Sequence, residues 1–246
     1  MKISIIIPCL NEAQFLPDLI RDIKNQTHLP EEVLVIDAQS TDETLLKTEE
    51  VGLVQLQVIS TNPNIGAQRK LGGDSTAGDL LVFLDADTRI SPDFLDSVVS
   101  VMTRGRLDIA CPSYVPYAKN TDGKLMQSTA MIRFIYRCFD VLFFCFQKIS
   151  PSGAGSCICV KKYVYTQTGG FRTDLKFDDI EFIRRASRVG KFGKLTTKVQ
   201  VSDRRFVRYG VLHSVLVYFI LSIFFLFSAY KAAEVVQYSF ADYGKR

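Results

Sequence analysis

Short apolar runs alternate with segments of helical periodicity through the first hundred residues. The runs occupy positions 3–7, 33–36, 54–59, 80–84 and 107–111. Between the first two runs, apolar side chains recur at the spacing of an amphipathic helix, and further helices are expected after Ser40, over 66–71 and after Ser91, with that serine as N-cap. Strands that alternate with helices build parallel sheets from βαβ units. The pattern predicts an α/β fold with a mostly parallel, Rossmann-like sheet flanked by helices.

The second half of the chain carries a longer apolar helix and shorter strands. We expect a helix over 127–148 whose apolar side chains cover most of its surface, so that it must contact the core, a membrane or an apolar ligand. A short strand is expected over 156–160, a charged helix over 178–188, and a closing pair of strands over 192–195 and 199–201.

The segment from Tyr209 to Tyr230 has 22 residues and no Asp, Glu, Lys or Arg. As a helix it would be about 33 Å long, which suffices to cross a bilayer core. Ser214, Tyr218 and Ser222 form a polar line at i, i+4 and i+8. We therefore favour an apolar C-terminal helix that lies in the membrane interface or packs on protein, with a membrane span or a core helix of an oligomer as alternatives.

Charge is distributed unevenly along the 246 residues, although the net charge is only +4. Residues 1–160 hold 14 basic and 19 acidic side chains, whereas residues 161–208 hold 13 and 5. The composition, 47% hydrophobic and 23% charged, excludes general disorder. We expect the basic belt over 161–208 to face an anionic membrane surface and expect no nucleic-acid partner.

The cysteines and the first residues bear on the cellular compartment. Six cysteines without a C-x-x-C pair, and only two histidines, do not make a typical zinc site, so we expect buried, reduced thiols in the cytosol. The first apolar run stops at Pro8 and is too short for a signal peptide.

Polar residues cluster where the predicted strands end. Asn11 and Glu12 follow the first strand, Asp37 closes the second, Asn64 follows the third, and Asp85-Ala86-Asp87 closes the fourth. Any one of them alone is more often a solvated turn or a helix cap. Because open parallel sheets bind ligands beyond the carboxyl ends of their strands, the ordered set predicts a binding site there.

The two carboxylates of Asp85 and Asp87 can point to the same side of a strand end. Hard oxygen ligands without His or Cys suit Mg²⁺ or Mn²⁺, with water and a diphosphate in the remaining positions. The competing interpretation, a cap for the helix after Ser91, is less attractive because Ser91 already supplies a cap. Neither glycine-rich phosphate loop occurs after a strand, and no G-x-S-x-G motif is present.

These motifs resemble those of the family 2 inverting glycosyltransferases of GT-A fold. The resemblance covers roughly the first 200 residues and rests on six segments in order: Pro8-Cys9-Leu10-Asn11-Glu12, Asp37 with Ser40-Thr41-Asp42, Asn64-Ile65-Gly66 with Arg69, Asp85-Ala86-Asp87, Gly169-Gly170-Phe171, and Asp178-Asp179-Ile180-Glu181. The later segment Arg204-Arg205-Phe206 is similar to the corresponding segment of a small bacterial branch of this family. In that branch an apolar C-terminal segment follows the catalytic domain.

The resemblance implies a role for each matched position. Asp87 and Asp85 would hold the divalent metal, Asp179 would take the proton of the acceptor hydroxyl, and Asp178 could substitute for it. The acceptor floor would be Gly153, Ala154 and Gly155. The implied contacts to the nucleotide sugar are Pro8, Asn11, Glu12, Asp37, Asn64, Arg69 and Asp85. Two departures stand out: Ala38 and Gln39 replace the aspartate and glycine that the family often has, and the base pair is Asp-Asp where Glu-Asp is usual.

The sequence thus predicts a single catalytic domain over 1–203, with a nucleotide-sugar half over 1–110 and an acceptor half over 111–203, followed by a membrane-associated helical tail over 204–246. The expected activity is transfer of a sugar from a nucleoside-diphosphate sugar, with Mn²⁺ or Mg²⁺, to a lipid or polyprenyl-linked acceptor at the cytoplasmic face of the membrane. A noncatalytic, membrane-anchored scaffold and a nucleotidyltransferase are the alternatives.

Overall fold

The computed structural model describes residues 1–120, 122–147, 151, 153–226 and 230–233. The end of the predicted helix at position 148, and positions 227–229 and 234–246 of the predicted tail, lie outside the described residues.

The described chain forms an α/β domain around one nine-stranded mixed sheet. The strands are β1 (Ile3–Cys9), β2 (Glu32–Asp37), β3 (Leu56–Ser60), β4 (Leu80–Leu84), β5 (Thr88–Arg89), β6 (Ile109–Lys119), β7 (Leu125–Gln127), β8 (Cys157–Lys161) and β9 (Phe192–Ser202). The helices are α1 (Leu16–Lys24), α2 (Thr44–Glu49), α3 (Ile65–Ser75), α4 (Phe94–Arg104), α5 (Ala130–Phe146), α6 (Lys162–Thr168), α7 (Asp178–Ala186), α8 (Arg204–Tyr209), α9 (Val211–Leu226) and α10 (Tyr230–Ala233). The order in the sheet is β3-β2-β1-β4-β8-β6-β9-β5, with β7 paired to β6.

The first four long strands follow the sequence prediction closely. β1, β2, β3 and β4 are parallel, and β1 and β4 are buried along their whole length because both faces of the sheet are covered. Helices α1 and α4 pack on one face, and the aromatic residues of α6 and α7 pack on the other. The carboxyl ends of these strands therefore point to one edge of the sheet, where the polar segments begin.

The second half of the sheet differs from the prediction in strand direction. β8 runs antiparallel to both β4 and β6, so the parallel arrangement holds among the first four strands and between β6 and β9. The expected pair of strands over 192–195 and 199–201 is one strand, β9, with a register shift opposite Cys111 and Ser113. Thr196 and Thr197 interrupt the apolar pattern, but β-branched residues fit a strand, and the irregularity absorbs the break.

Three smaller expectations also change. Ser91 is not the N-cap of α4, since the helix begins at Phe94 with Asp93 at the cap position and no side-chain cap bond. The apolar helix α5 is shorter than predicted and begins after β7. Four of the six thiols are buried, whereas Cys138 and Cys145 on α5 are exposed.

The chain after β9 forms α8 and α9, which Gly210, with φ of 81°, separates, and then the short α10. Val217 and Leu221 of α9 pack against Phe177 at the start of α7. The opposite side of α9 exposes Leu212, Leu216, Phe219 and Ile223. Within the described part of the chain, no helix has both the length and the apolar character needed to cross a bilayer.

Candidate active site

A cavity of about 500 Å³ brings together three of the groups that the sequence singled out. Asp85 and Asp87 enter it from the end of β4, Gly153–Gly155 from the segment before β8, and Asp178 with Asp179 from the start of α7. Arg69 of α3 also lines it. The fold thus assembles residues up to 110 positions apart into one site.

Arg69 lies at the centre of a set of hydrogen bonds in this cavity and is only 3% exposed. Its Nη1 donates to both carboxylate oxygens of Asp178 at 3.1 and 3.0 Å, and its Nη2 donates to Oδ1 of Asp85 at 2.9 Å. Nη2 also donates to the carbonyl of Gly155 at 3.3 Å. Nε has no hydrogen-bond partner among the described residues. Arg69 therefore ties the end of β4 to the start of α7.

The two neighbouring aspartates have different environments. Asp178 is 1% exposed and bound by Arg69, and its burial raises its pKa to about 7 against the opposing charge of Arg69. Asp179 is partly exposed to the cavity, where Oδ2 accepts the N–H of Gly155 at 2.8 Å and Oδ1 accepts the N–H of Ile180 at 2.8 Å. Burial raises the pKa of Asp179 above its ordinary value, although Arg69 and these two donors act in the opposite direction. Both aspartates line the cavity, and Asp179 is the more exposed of the two.

Gly155 has no room for a side chain. A Cβ at this position would lie 2.6 Å from Nη2 of Arg69 and 2.7 Å from Oδ2 of Asp179. A Cβ on Gly153 would meet Sγ of Cys111 at 2.5 Å. The glycines let the backbone approach the buried charges closely enough for the N–H of Gly155 to bind Asp179.

A second cluster of charges adjoins Asp87. Arg204, the first residue of α8, donates from Nη1 and Nη2 to the two oxygens of Glu12 at 2.9 and 2.7 Å, and Nη2 lies 3.1 Å from Oδ2 of Asp87. Glu12 is 3% exposed, and burial raises its pKa to about 7 although Arg204 lowers it. Arg204 was not among the predicted site residues. The available signal was its place directly after the last strand, in the basic segment.

The remaining predicted residues lie outside the cavity. Asn11 and Asp37 are joined through the turn after β2: Oδ1 of Asn11 accepts the N–H of Thr41 at 2.8 Å, and Asp37 accepts the N–H of Ser40 at 3.0 Å. Asn64 caps α3 by accepting the N–H of Ala67 at 2.9 Å. Pro8 lies within β1, paired with Ile36 of β2. Arg204 links Glu12 to Asp87, which lines the cavity.

Gln39 has the backbone conformation that its position requires. Its φ is 62°, in the left-handed region that favours glycine, which the family often has here. Its amide donates to Oδ1 of Asn62 at 3.2 Å. The departure from glycine therefore preserves the turn and adds a polar contact to the segment after β3.

Asp85 and Asp87 suit a divalent cation by the chemistry of their donors. No group of three or more His, Cys, Asp or Glu in the described ranges is arranged to hold a metal ion by itself. Mg²⁺, however, is commonly bound by one or two carboxylates together with water and substrate phosphates. A carboxylate offers about four lone-pair sites, so one arginine contact on each aspartate leaves acceptor capacity for a cation. Neither aspartate caps α4.

Apolar side chains form the wall opposite the charged residues. Helix α5 contributes Tyr136, Phe139 and Leu142, and helix α9 contributes residues that include Phe219, Leu221 and Phe225. Arg184 of α7 donates to the carbonyl of Phe225, which joins the helix of Asp179 to the end of α9. The two apolar helices that the sequence predicted thus meet over the site.

The model of glycosyl transferase family 2 matches residues 4–168. A dolichol-phosphate mannosyltransferase of Pyrococcus furiosus is 32% identical over 117 residues, which are 46% of this chain and 33% of that relative. The chain also covers less than half the length of several other curated relatives.

Solved structures share the fold at low sequence identity. The structure of residues 1–349 of S. aureus TarS in complex with UDP-GlcNAc has a TM-score of 0.63 and 20% identity, over 82% of this chain and 59% of that one. The mannosyltransferase PcManGT from Pyrobaculum calidifontis, in complex with GDP-Man and Mn²⁺, has a TM-score of 0.63 and 20% identity, over 82% and 56%.

Proposed function

The chain belongs to glycosyl transferase family 2, and from that premise we propose that it moves a sugar from a nucleoside-diphosphate sugar to an acceptor hydroxyl with inversion at the anomeric carbon. The observation that carries the proposal is the cavity in which Asp85 and Asp87 face Asp179. The family assignment makes the chain a glycosyltransferase, and a noncatalytic scaffold or a nucleotidyltransferase has no comparable support.

Asp85 and Asp87 would hold the divalent cation on the donor side. The cation would neutralise charge that develops on the leaving diphosphate. The Mn²⁺ in the complex of PcManGT supports a cation of this kind. The UDP-GlcNAc and GDP-Man complexes of the structural neighbours support a nucleoside-diphosphate sugar as donor, with Pro8, Asn11, Glu12, Asp37, Asn64 and Arg69 as the proposed residues around it.

Asp179 would act as general base. Its two backbone donors fix the carboxylate, and its raised pKa makes it a stronger base than an ordinary aspartate. The proton of the acceptor hydroxyl would pass to Asp179 as the hydroxyl oxygen attacks the anomeric carbon and the diphosphate departs. Asp178, bound by Arg69, would keep α7 in place and would not receive that proton.

The apolar wall supports a lipid or polyprenyl-linked acceptor. Tyr136, Phe139 and Phe219 are suited to a hydrocarbon chain, and Gly153, Ala154 and Gly155 form the floor on which the acceptor would lie. The similarity to a dolichol-phosphate mannosyltransferase agrees with this class of acceptor.

The outer surface supports action at the cytoplasmic face of a membrane. Phe134 of α5 and Leu212 of α9 are 67% and 83% exposed, and Arg208 on the neighbouring α8 is exposed. Apolar side chains would enter the interface, and each basic residue near an anionic leaflet adds about 1 kcal/mol. Binding to anionic liposomes in a flotation assay is the expected result, and a chain that stays soluble at low salt would contradict this part of the proposal.

A donor panel tests the transfer itself. UDP-GlcNAc, GDP-mannose and other nucleotide sugars are incubated with the protein, Mn²⁺ and a bacterial lipid extract, and the released nucleoside diphosphate and the glycolipid are measured. We expect one donor to give Mn²⁺-dependent product with inverted anomeric configuration by NMR. Retained configuration would overturn the inverting mechanism, and no release above an EDTA control with any donor would overturn the proposed activity.

A further inference from the structure

The C-terminal helices contact the active site at both ends. At the start of α8, Arg204 reaches Glu12 and Asp87. At the end of α9, the carbonyl of Phe225 accepts a hydrogen bond from Arg184 of α7. The tail therefore runs from the proposed cation site to the helix that carries the proposed base.

Two contacts hold the guanidinium of Arg204 in place. Both of its terminal nitrogens bind the buried carboxylate of Glu12, and the guanidinium carbon lies 4.8 Å from the ring centroid of Phe15. A bidentate pair of this kind gives the planar guanidinium a defined orientation. Its Nη2 also lies 3.1 Å from Oδ2 of Asp87, within ion-pair distance.

Asp85 and Asp87 are therefore held by different parts of the molecule. Asp85 is bound by Arg69, which lies in the core on α3 and is 3% exposed. Asp87 is bound by Arg204, which is 30% exposed and begins the tail. Loss of the Asp87 carboxylate is thus expected to affect the packing of the tail, whereas loss of the Asp85 carboxylate is expected to affect α3 and α7.

We propose that Arg204 competes with the cation for Asp87 through a guanidinium held by Glu12, and that this competition couples the docking of α8 and α9 to cation binding at Asp87. The proposal rests on the proposed function for its assignment of Asp87 as a metal ligand. A dication and a guanidinium repel each other and share one carboxylate. Because such coupling is reciprocal, a cation at Asp87 weakens the contact of Arg204, and removal of Arg204 strengthens cation binding.

The first test measures Mn²⁺ affinity of the full chain by EPR of the free ion. We expect Arg204→Ala to bind Mn²⁺ roughly threefold to tenfold more tightly, the range that the loss of one competing, partly exposed ion pair gives. Arg204→Lys, which keeps the charge, should bind with nearly the wild-type affinity. Arg208→Ala, on the same helix, should not change the affinity. A purely structural role predicts unchanged or weaker binding for Arg204→Ala, and either result would overturn the proposal.

The second test measures amide hydrogen exchange in α8 and α9. Asp87→Asn and Arg204→Ala should each speed exchange in α8, whereas Asp85→Asn should not. Mn²⁺ should speed the same amides in the wild type and have no effect in Asp87→Asn. If Asp85→Asn loosens α8 as much as Asp87→Asn, or if Mn²⁺ leaves the wild-type tail unchanged, Arg204 does not couple the two regions.

The two tests separate this inference from the proposed function. Mn²⁺-dependent sugar transfer without a change in tail exchange would overturn only the coupling. If Arg204→Ala binds Mn²⁺ more tightly but the wild-type chain transfers no sugar, the coupling is supported and the proposed transfer reaction is overturned.

Discussion

Two arginine clusters hold the two aspartates at the end of β4, and they differ in burial and in origin. Arg69 lies inside the region that the family model matches, is almost fully buried, and joins Asp85 to the base helix through Asp178. Arg204 lies beyond that region, is 30% exposed, and joins Asp87 to the tail through Glu12. We propose that the core cluster holds the geometry for catalysis, whereas the tail cluster responds to cation binding.

The largest expected difference between the two clusters is their contribution to the free energy of unfolding. Arg69→Met should lower the free energy of unfolding by about 3–5 kcal/mol, because it leaves Asp178 buried without its partner. Arg204→Met should cost less, about 1 kcal/mol, because Arg204 is 30% exposed and solvent screens its ion pairs. Urea denaturation at pH 7 measures both. Equal losses would show that the clusters are energetically alike.

Gly155→Ala tests whether the core cluster sets the position of the base. The added Cβ would displace Asp179 or Arg69, and a shift of about 1 Å can cost about 100-fold in rate. We expect a loss of that size in kcat. Gly153→Ala is the comparison, because its Cβ would press on the thiol of Cys111, away from both charged groups, and should cost less than about tenfold. A larger loss for Gly153→Ala would contradict the account.

Leu216→Ser tests the outer face of the tail. Leu216 is 56% exposed on α9, so its removal should weaken binding to anionic vesicles by about tenfold with little effect on folding. Leu46→Ser is the matched control, since Leu46 is 60% exposed on α2, away from the tail. Flotation with anionic vesicles measures the binding of both variants. Equal binding by the two variants would mean that α9 does not face the membrane.

The smallest expected effect is in the pH profile of kcat/KM. A base must be unprotonated, so activity is present above the pKa of Asp179 and is lost as pH falls through it. Because burial raises that pKa, the acidic limb should lie above the ordinary aspartate range of about 4. Thermal melts at each pH control for unfolding. An acidic limb at or below the ordinary aspartate pKa of about 4 would contradict the raised pKa.

The sequence was most informative where burial is complete. β4 has the predicted bounds, because a run of apolar residues covered on both faces leaves little alternative. The direction of β8 and the single strand β9 were not predictable, since periodicity reports burial and not the strand to which a segment pairs. The strand-end motifs pointed to Asp85 and Asp87, and the family resemblance added Asp179, which lines the same cavity.

The sequence was least informative about contacts between distant segments. Arg204 binds Glu12 across 192 positions, and its place after the last strand does not reveal a partner so distant in the sequence. The different environments of Asp178 and Asp179 also follow from the tertiary structure, because Arg69 binds the carboxylate of Asp178 and the N–H of Gly155 binds that of Asp179. The domain boundary at residue 203 stays a prediction, although α8 begins at Arg204.

The central claim is that Asp179 accepts the acceptor's proton at a site where the donor is held by other residues. The measurement is the single-turnover rate of sugar transfer by Asp179→Asn, together with its affinity for the donor in the presence of Mn²⁺. We predict a rate loss of about 10²- to 10⁴-fold with donor affinity nearly unchanged, while Glu181→Gln on the same helix, whose partner is Arg185, stays close to wild type. Transfer by Asp179→Asn at the wild-type rate would contradict the account.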